Sequence, residues 1–165
     1  MSDSRTPTTP YPEPLQDLLD TFATLDDPTE RAQVLISFSD QFKPVPPEVA
    51  TRPFAQDHLV PACESEAYVW AMLQPDGTMK LHFAVENPSG ISARALATML
   101  DKALSGLPPA EIAKVSPEIV ERLFRQNISM GKGMGLMSMV GAVRTLALRA
   151  QGIEPKPVSP VACPE

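Results

Sequence analysis

The spacing of hydrophobic residues changes twice along the chain, and this change restricts the fold more than any other feature. Hydrophobic residues recur at helical spacing over 15–42, alternate over 67–85, and return to helical spacing from Ile91. A helix brings residues three and four apart to one face, whereas a strand brings every second residue to one face. The order of a helix pair, a hairpin and further helices predicts an α+β fold, in which a small antiparallel sheet is covered by helices.

Two helices are predicted before the sheet. The first lies in PLQDLLDTFATL, and its apolar residues are Leu15, Leu18, Leu19, Phe22 and Leu25. The second begins at DDPTE, where Asp27 is a candidate N-cap and Pro28 suits the first helical position. We expect the two helices to form a hairpin.

The segment KPVPPEVATRPFAQD contains too much proline for a helix or a central strand, so an extended loop is predicted there.

A β-hairpin and more helices are predicted next. The strand AYVWAM places Ala67 and Val69 on one face and Tyr68 and Trp70 on the other; a PDG turn then leads to the partner strand TMKLHFAV. The helices that follow are a central one capped by Ser89 or Ser92 and closed by Gly106, short ones in PPAEIAK and, after Ser116, in PEIVERLFRQ, and a final one over 135–149.

Length, proline and charge limit the class of protein. The chain has 165 residues, 19 prolines and a formal net charge of −6. We predict a disordered N-terminal tail over 1–14, one domain over 15–150 and a proline-rich C-terminal tail over 151–165. The acidic balance argues against nucleic-acid binding. The sequence contains no secretory signal and no apolar run long enough for a bilayer, so we expect a cytoplasmic protein without a membrane partner, as a monomer or weak homodimer.

Cys63 is the candidate reactive residue. It lies in HLVPACESEAYVW, between a proline and the alternating strand, where a rigid hairpin can present a thiol to another molecule. The carboxylates of Asp57, Glu64 and Glu66 are close in sequence and oppose thiolate formation. Activation is expected from a partner or from one of two basic residues, Lys132 and His58. The alternative is that Cys63 is a small hydrophobic residue that caps the end of the sheet.

Several weaker signals have an ordinary structural explanation. The GKGMG motif lacks the spacing of a phosphate-binding loop, and we expect a loop that leads into the final helix. His58 and His82 lack the paired spacing of a metal site, so no metal and no cofactor are predicted. The methionines at 130, 134, 137 and 139 are either core residues or an adaptable docking surface. Cys163 is either incidental or a second redox thiol near Cys63.

The order of these motifs resembles a known family. VPACESEAYVW, a turn and a strand, NPSGISARALATMLDKALSGLPPAEI, and a final helix introduced by GKGMGL are similar to the SufE family of sulfur acceptors for cysteine desulfurases. The resemblance covers roughly residues 15 to 150 and implies a SufE/IscU-like fold. Four features differ from the family pattern: Ala62 replaces a glycine, Glu66 replaces a glutamine, Glu86-Asn87-Pro88-Ser89 replaces an acidic D-S-D-like start of the central helix, and Lys132 aligns with an arginine.

The resemblance implies that Cys63 is a sulfur carrier. Its thiolate would take the outer sulfur of a persulfide from a SufS-like, pyridoxal-phosphate-dependent cysteine desulfurase, stimulate that enzyme, and pass the sulfur to a SufBCD-like iron–sulfur scaffold. The implied partner-binding residues are Pro61, Ala62, Glu64, Ser65, Glu66 and Lys132. Family members shelter the acceptor sulfur in the free state and bind no cofactor of their own. The alternatives are a non-catalytic scaffold or adaptor of iron–sulfur assembly, and a thiol redox sensor.

Overall fold

Six α-helices surround one β-hairpin in the computed structural model, which describes residues 11–154. The helices are α1 (Glu13–Ala23), α2 (Pro28–Asp40), α3 (Ile91–Leu104), α4 (Pro109–Ile112), α5 (Ile119–Phe124) and α6 (Met130–Ala150). The strands are β1 (Ala67–Leu73) and β2 (Met79–Val85), and single 3₁₀ turns lie at Gln56–His58 and Arg125–Asn127. The predicted α+β fold, with an antiparallel sheet covered by helices, is confirmed.

The two faces of the hairpin belong to two separate apolar clusters. The strands are antiparallel and pair Ala67 with Val85 at one end and Leu73 with Met79 at the other. One face, which includes Val69, contributes to the main core with residues of α1, α3 and α6. Strand β1 therefore alternates as predicted, but both of its faces are buried over its first four residues.

The second face of the hairpin is covered by the proline-rich segment that precedes Cys63. Phe54 lies between Tyr68 and Trp70, with ring centroids 5.1 Å from each. The backbone N–H of Val45 donates to the carbonyl of Phe83 at 2.8 Å, which attaches the segment to the edge of β2. The predicted extended loop thus also forms the lid of the smaller cluster.

The predicted hairpin of α1 and α2 was wrong, because α2 packs mainly on α3 and α1 packs on α3 and α5 rather than along each other. A buried arginine fixes the connection between the two helices. Asp27 caps α2 by accepting from the N–H of Thr29, as predicted. Arg31, only 1% exposed, donates from Nη2 to the carbonyls of Phe22 and Leu25 at 2.6 and 2.7 Å. Its Nη1 donates to the carbonyls of Leu123 and Arg122 at 2.7 and 3.3 Å. The guanidinium therefore binds carbonyls near the C-terminal ends of α1 and α5, where the last carbonyls of a helix lack i+4 partners; the carbonyl of Phe22 also accepts from the N–H of Leu25 at 3.1 Å.

Three predicted helix starts were wrong. Helix α6 begins at Met130, five residues before the predicted start at Gly135, and Ser129 caps it by accepting from the N–H of Lys132. GKGMG is therefore the first part of the helix and not a loop before it. The N-cap of α3 is Gly90, neither of the predicted serines, and α5 begins at Ile119 after a turn. Glycine is a poor helix former, and this low propensity is overridden here by a cap and by close packing.

The described fold includes residues that the sequence analysis assigned to the N-terminal tail. Tyr11 is 5% exposed and its hydroxyl donates to the carboxylate of Glu118 at 2.7 Å. Burial, and then this hydrogen bond, raise the pKa of Tyr11 to about 12. The rest of the predicted tails, including Cys163, lies outside the described residues. Within residues 11–154, none of the helices combines the length and the apolar character that a bilayer span needs.

Candidate functional site

Cys63 lies on a tight loop that is closed at its base. The N–H of Val60 donates to the carbonyl of Ala67 at 2.8 Å, and the N–H of Glu66 donates to the carbonyl of Cys63 at 3.2 Å. Ala62 and Glu66 adopt φ angles of 59° and 52°, in the left-handed region that costs a residue with a β-carbon about 1–2 kcal/mol. Loop 61–66 therefore has one defined, slightly strained path across the end of the hairpin.

Two glycines allow helices to touch this loop with their backbones. A β-carbon at Gly135 of α6 would lie 3.0 Å from the carbonyl oxygen of Ala62 and 3.2 Å from the Cα of Cys63. A β-carbon at Gly90, the N-cap of α3, would lie 3.0 Å from the Oγ of Ser65. Both contacts are shorter than ordinary van der Waals packing permits. The loop is thus held between α6 and the start of α3, and neither glycine can gain a side chain without movement.

The base of the site is joined to the proline-rich segment by an ion pair. Arg52 donates two hydrogen bonds of 2.8 Å to the carboxylate of Glu86, which lowers the pKa of that carboxyl. The N–H of Glu86 in turn donates to the carbonyl of Glu66 at 3.1 Å, and the N–H of Asn87 donates to the carbonyl of Ser65 at 3.1 Å. The residues after β2 therefore hold the second half of the loop.

The half-buried Cys63 lines a cavity of about 360 Å³. Most of its lining comes from α2, loop 61–66, the start of α3 with the residues before it, and the start of α6; Asn127 adds to it from the 3₁₀ turn before α6. Leu35 and Ile36 supply apolar surface from α2, and Lys132 supplies a cation from α6. The first turn of α3 also lines the cavity, and the N-terminus of a helix carries a partial positive charge. Lys132 and the helix N-terminus can therefore favour a small anionic group next to the thiol, against the charge of Glu64, which lines the same cavity.

Two exposed apolar side chains lie at this cavity, and two exposed methionines lie on another side of α6. Ile36 and Ile91 line the cavity and are 47% and 48% exposed. Met130 and Met134, in the first two turns of α6, are 86% and 62% exposed, whereas Met139 is fully buried. The two alternatives for the methionines thus both apply: Met139 is a core residue, while Met130 and Met134 are free to contact another molecule.

The structure brings most of the sequence-predicted site residues together. Glu64, Ser65 and Lys132 line the same cavity as Cys63, and Ala62 touches α6 through its backbone. Glu66 has a strained backbone conformation within loop 61–66, and its side chain is exposed. Pro61 lines a neighbouring groove instead.

The two histidines are placed away from the cavity. His58 lines the same groove as Pro61, where its Nδ1 lies 2.9 Å from the carbonyl of Val69 and its ring stacks on Trp70. Of the two basic residues considered for activation, the cavity therefore contains Lys132 and not His58. His82 lies on β2, and partial burial lowers its pKa. Among residues 11–154, no three His, Cys, Asp or Glu side chains are grouped so that they could hold a metal ion.

A comparison with known families decides the family. The sequence model for SufE, described as an Fe-S metabolism associated domain, matches residues 16–147. The chain belongs to the SufE family. This membership confirms the resemblance found in the sequence and assigns the protein a role in iron–sulfur metabolism.

Two relatives of this SufE-family chain extend the comparison. SufE-like protein 1, chloroplastic/mitochondrial, from Arabidopsis thaliana is 25% identical over 141 residues, which are 85% of this chain and 36% of that protein. The chain thus spans about a third of the length of this curated relative. The solution structure of a hypothetical protein from Thermus thermophilus has a TM-score of 0.67 and 23% identity, covering 86% of this chain and 98% of that one. The likeness to the Thermus thermophilus protein shows that the two chains share a fold.

Some residues at the site of this SufE-family chain were not identified from the sequence. Leu35 was assigned only to a helix face that packs on the core, and Ile36 was not assigned to a face, because nothing local shows that α2 reaches a loop almost 30 residues away. Gly90 and Gly135 were not singled out either. Their signal was present, since a glycine inside a strongly periodic helix has a packing reason more often than not. The contacting segment cannot be deduced from the glycine itself.

Proposed function

We propose that Cys63 accepts sulfur from the persulfide of a cysteine desulfurase. The observation that carries this proposal is a half-buried thiol on a fixed loop, lining a cavity that also contains a lysine and the first turn of a helix. A group that must hold a reactive sulfur between two partners needs shelter from solvent and an opening for the donor. The cavity of about 360 Å³ supplies both.

The reaction is a thiol exchange. The thiolate of Cys63 attacks the outer sulfur of the donor persulfide, a new S–S bond forms on Cys63, and the desulfurase cysteine leaves as a thiolate. No oxidant is consumed. The product persulfide is an anion next to Lys132 and the first turn of α3, and the positive charge of these groups favours it. A second exchange of the same kind passes the outer sulfur to an iron–sulfur scaffold.

The surroundings of the cavity suit a protein donor. Ile36 and Ile91 form an exposed apolar rim on the polar cavity, and Met130 and Met134 add exposed apolar surface on another side of α6. Apolar and methionine side chains are adaptable contact residues, and a continuous apolar patch on a protein surface marks an interaction site. The desulfurase would cover this rim and enter with its own cysteine at the centre. By stabilising the released thiolate and removing the sulfur, Cys63 would increase the turnover of the enzyme.

The test is to locate the transferred sulfur. The protein is incubated with a cysteine desulfurase and cysteine, without reductant, and its intact mass is measured. We expect one added sulfur atom on the wild type and on the matched control Cys163→Ser, and none on Cys63→Ser. Equal labelling of Cys63→Ser and wild type would refute the assignment. An unlabelled wild type, with a desulfurase that turns over under the same conditions, would refute sulfur acceptance itself.

A further inference from the structure

A second cleft continues the seam where α2 packs on α3, beyond the Cys63 cavity. Ile36 of α2 and Ala93 of α3 line the Cys63 cavity. Four residues further along each helix, Asp40 and Ala97 line a cleft of about 690 Å³. Residues four apart lie on one face of a helix and about 6 Å apart along its axis, so the two cavities follow the same seam. A partner that covers the Cys63 cavity with an interface of ordinary size therefore also reaches this cleft.

This lysine cleft is named for three cations in its lining, Lys43, Lys80 and Lys102. Two carboxylates line it as well, and one of them, Asp101, is paired with Lys80. The side chains of Lys43 and Lys102 are exposed, and among residues 11–154 neither is within ion-pair distance of a carboxylate. On a chain with a net charge of −6, the cleft is thus a local site of positive charge, which is complementary to an acidic partner.

One wall of the lysine cleft is the outer edge of β2. In an antiparallel pair, alternate residues bond across to the partner strand, and the residues between them turn their N–H and C=O groups to the other side. The N–H of Glu86 donates to the carbonyl of Glu66 across the hairpin at 3.1 Å, so even-numbered residues of β2 bond toward β1. Leu81 and Phe83, which line the cleft, therefore turn their backbone groups outward.

Two of these outward backbone groups are open. The N–H of Leu81 donates to the Oγ of Ser105 at 3.0 Å, and the carbonyl of Phe83 accepts from the N–H of Val45 at 2.8 Å. Within residues 11–154, the carbonyl of Leu81 and the N–H of Phe83 have no partner, although the two residues are only 1% and 3% exposed. Buried backbone groups without partners cost free energy. An extended segment beside β2 would bond to both, with its N–H on Leu81 and its C=O on Phe83.

We propose that an acidic, extended segment of the cysteine desulfurase adds to the outer edge of β2 in the lysine cleft while the cysteine of that enzyme meets Cys63. The backbone bonds to Leu81 and Phe83 would position the segment, and Lys43 and Lys102 would select carboxylate side chains. The inference rests on the proposed function, because it gives the same partner a second contact surface. An open sheet edge is what such strand addition requires.

Hydrogen exchange followed by mass spectrometry with residue-level fragmentation tests the backbone bonds. In the free protein, the amide of Phe83 should exchange faster than that of Ala84, which lies in the bonded register. Bound desulfurase should slow the exchange of Phe83 at least about tenfold. The amide of Met79, which already donates to the carbonyl of Leu107, is the control and should not change. Cys63→Ser should show the same protection of Phe83, because docking does not need the thiol.

Reversal of two charges tests the selection of an acidic segment. In Lys43→Glu with Lys102→Glu, the concentration of this protein that half-saturates the desulfurase should rise at least about fivefold, and the maximal rate should stay unchanged. Lys114→Glu with Arg149→Glu changes the net charge equally at exposed positions outside the cleft and should behave like wild type. Alkylation of Cys63 by iodoacetamide should be equal in both double variants, which shows that the Cys63 cavity is intact.

Unchanged exchange of Phe83 with the desulfurase bound would overturn the proposal. Equal half-saturating concentrations in the two double variants would overturn it too. Neither result would affect sulfur acceptance, which the added mass on Cys63 reports separately. A desulfurase that protects Phe83 and adds no sulfur would refute sulfur acceptance and leave this docking surface standing. A desulfurase that does not bind the protein would refute both.

Discussion

Gly135 and Cys63 are in backbone contact: a β-carbon on the glycine would come within 3.2 Å of the Cα of the cysteine. The first turns of α6 and the loop that holds the thiol are thus fitted to each other with no room for a methyl group. The position of the sulfur is set by this contact and by the hydrogen bonds at the base of the loop. A change at Gly135 should therefore alter the reactivity of Cys63 before it alters the fold.

Gly135→Ala is expected to push the loop outward and expose the thiol. We predict faster alkylation of Cys63 by iodoacetamide, measured in a Cys163→Ser background so that only one of the two thiols remains. Gly141→Ala, on the same helix with no neighbour within 4 Å, is the control. It should keep the reactivity of the parent and stabilise the protein by about 0.5–1 kcal/mol, as alanine does in place of a helical glycine. If Gly135→Ala has the same alkylation rate as Gly141→Ala, the contact between Gly135 and Cys63 does not position the loop.

Ala62→Gly is expected to stabilise the loop. The family pattern has glycine at this position, and Ala62 has a φ of 59°, which glycine adopts without strain. Relief of the strain, less the greater freedom of glycine in the unfolded chain, should raise the free energy of unfolding by about 0.5–1 kcal/mol. At the exposed helical position Ala110 the same substitution should lower it by about as much. Chemical denaturation of the two variants measures the sign of each change in the free energy of unfolding. A lower free energy of unfolding for both variants would show that the backbone at Ala62 is not strained.

Lys132→Gln is expected to slow the reactions of Cys63. The lysine is the cation of the cavity, and loss of its charge should reduce the rate of alkylation about two- to fivefold at low ionic strength. Lys132→Arg should retain most of the rate because it retains the charge. Lys102→Gln, exposed on α3, is the matched control for net charge. Added salt should make the alkylation rates of wild type and Lys132→Gln more similar. A difference in rate that does not change with salt would point to a cause other than charge.

The fold could be predicted from the sequence where local patterns decide it. Alternation of apolar residues identified β1 and β2, and the Asp27–Pro28 pair identified the start of α2. The start of α6 could not be predicted, because glycines at 131, 133 and 135 have low helix propensity and the contact that requires Gly135 is made with a loop about 70 residues away. Tertiary packing stabilises the start of α6 despite its low helix propensity.

The candidate site could be predicted only along its own stretch of sequence. Cys63 and its neighbours share one loop, and the family pattern supplied Lys132. The wall formed by α2 depends on contacts between segments distant in sequence. Burial of Arg31 was likewise not apparent, because an arginine in a polar helix pattern is ordinarily solvent-exposed.

Arg31 is expected to be a main determinant of stability. Its guanidinium donates to four carbonyls near the ends of α1 and α5, and Arg31→Met would remove all four hydrogen bonds, two of which are buried. We expect a loss of about 3–5 kcal/mol in the free energy of unfolding. Arg31→Lys should recover only a small part, since one ammonium cannot reach four carbonyls in a plane. Arg149→Met, at an exposed arginine, should change stability by less than about 1 kcal/mol. Urea denaturation followed by circular dichroism distinguishes these cases, and a similar small effect at both arginines would contradict the role of Arg31.

Tyr11 should make stability depend on pH in the alkaline range. Its pKa is raised from 10.0 to about 12 in the folded protein, so the folded state holds the phenolic proton more tightly than the unfolded state. This contribution is fully present below pH 10 and is lost as the pH rises toward 12. The stability of wild type should therefore fall relative to Tyr11→Phe across that interval, because phenylalanine has no proton to lose. Thermal unfolding of both proteins at matched pH values from about 8 upward gives the difference directly, because the two proteins differ only at this hydroxyl. A difference in stability that does not change with pH would mean that burial and Glu118 do not raise the pKa of Tyr11.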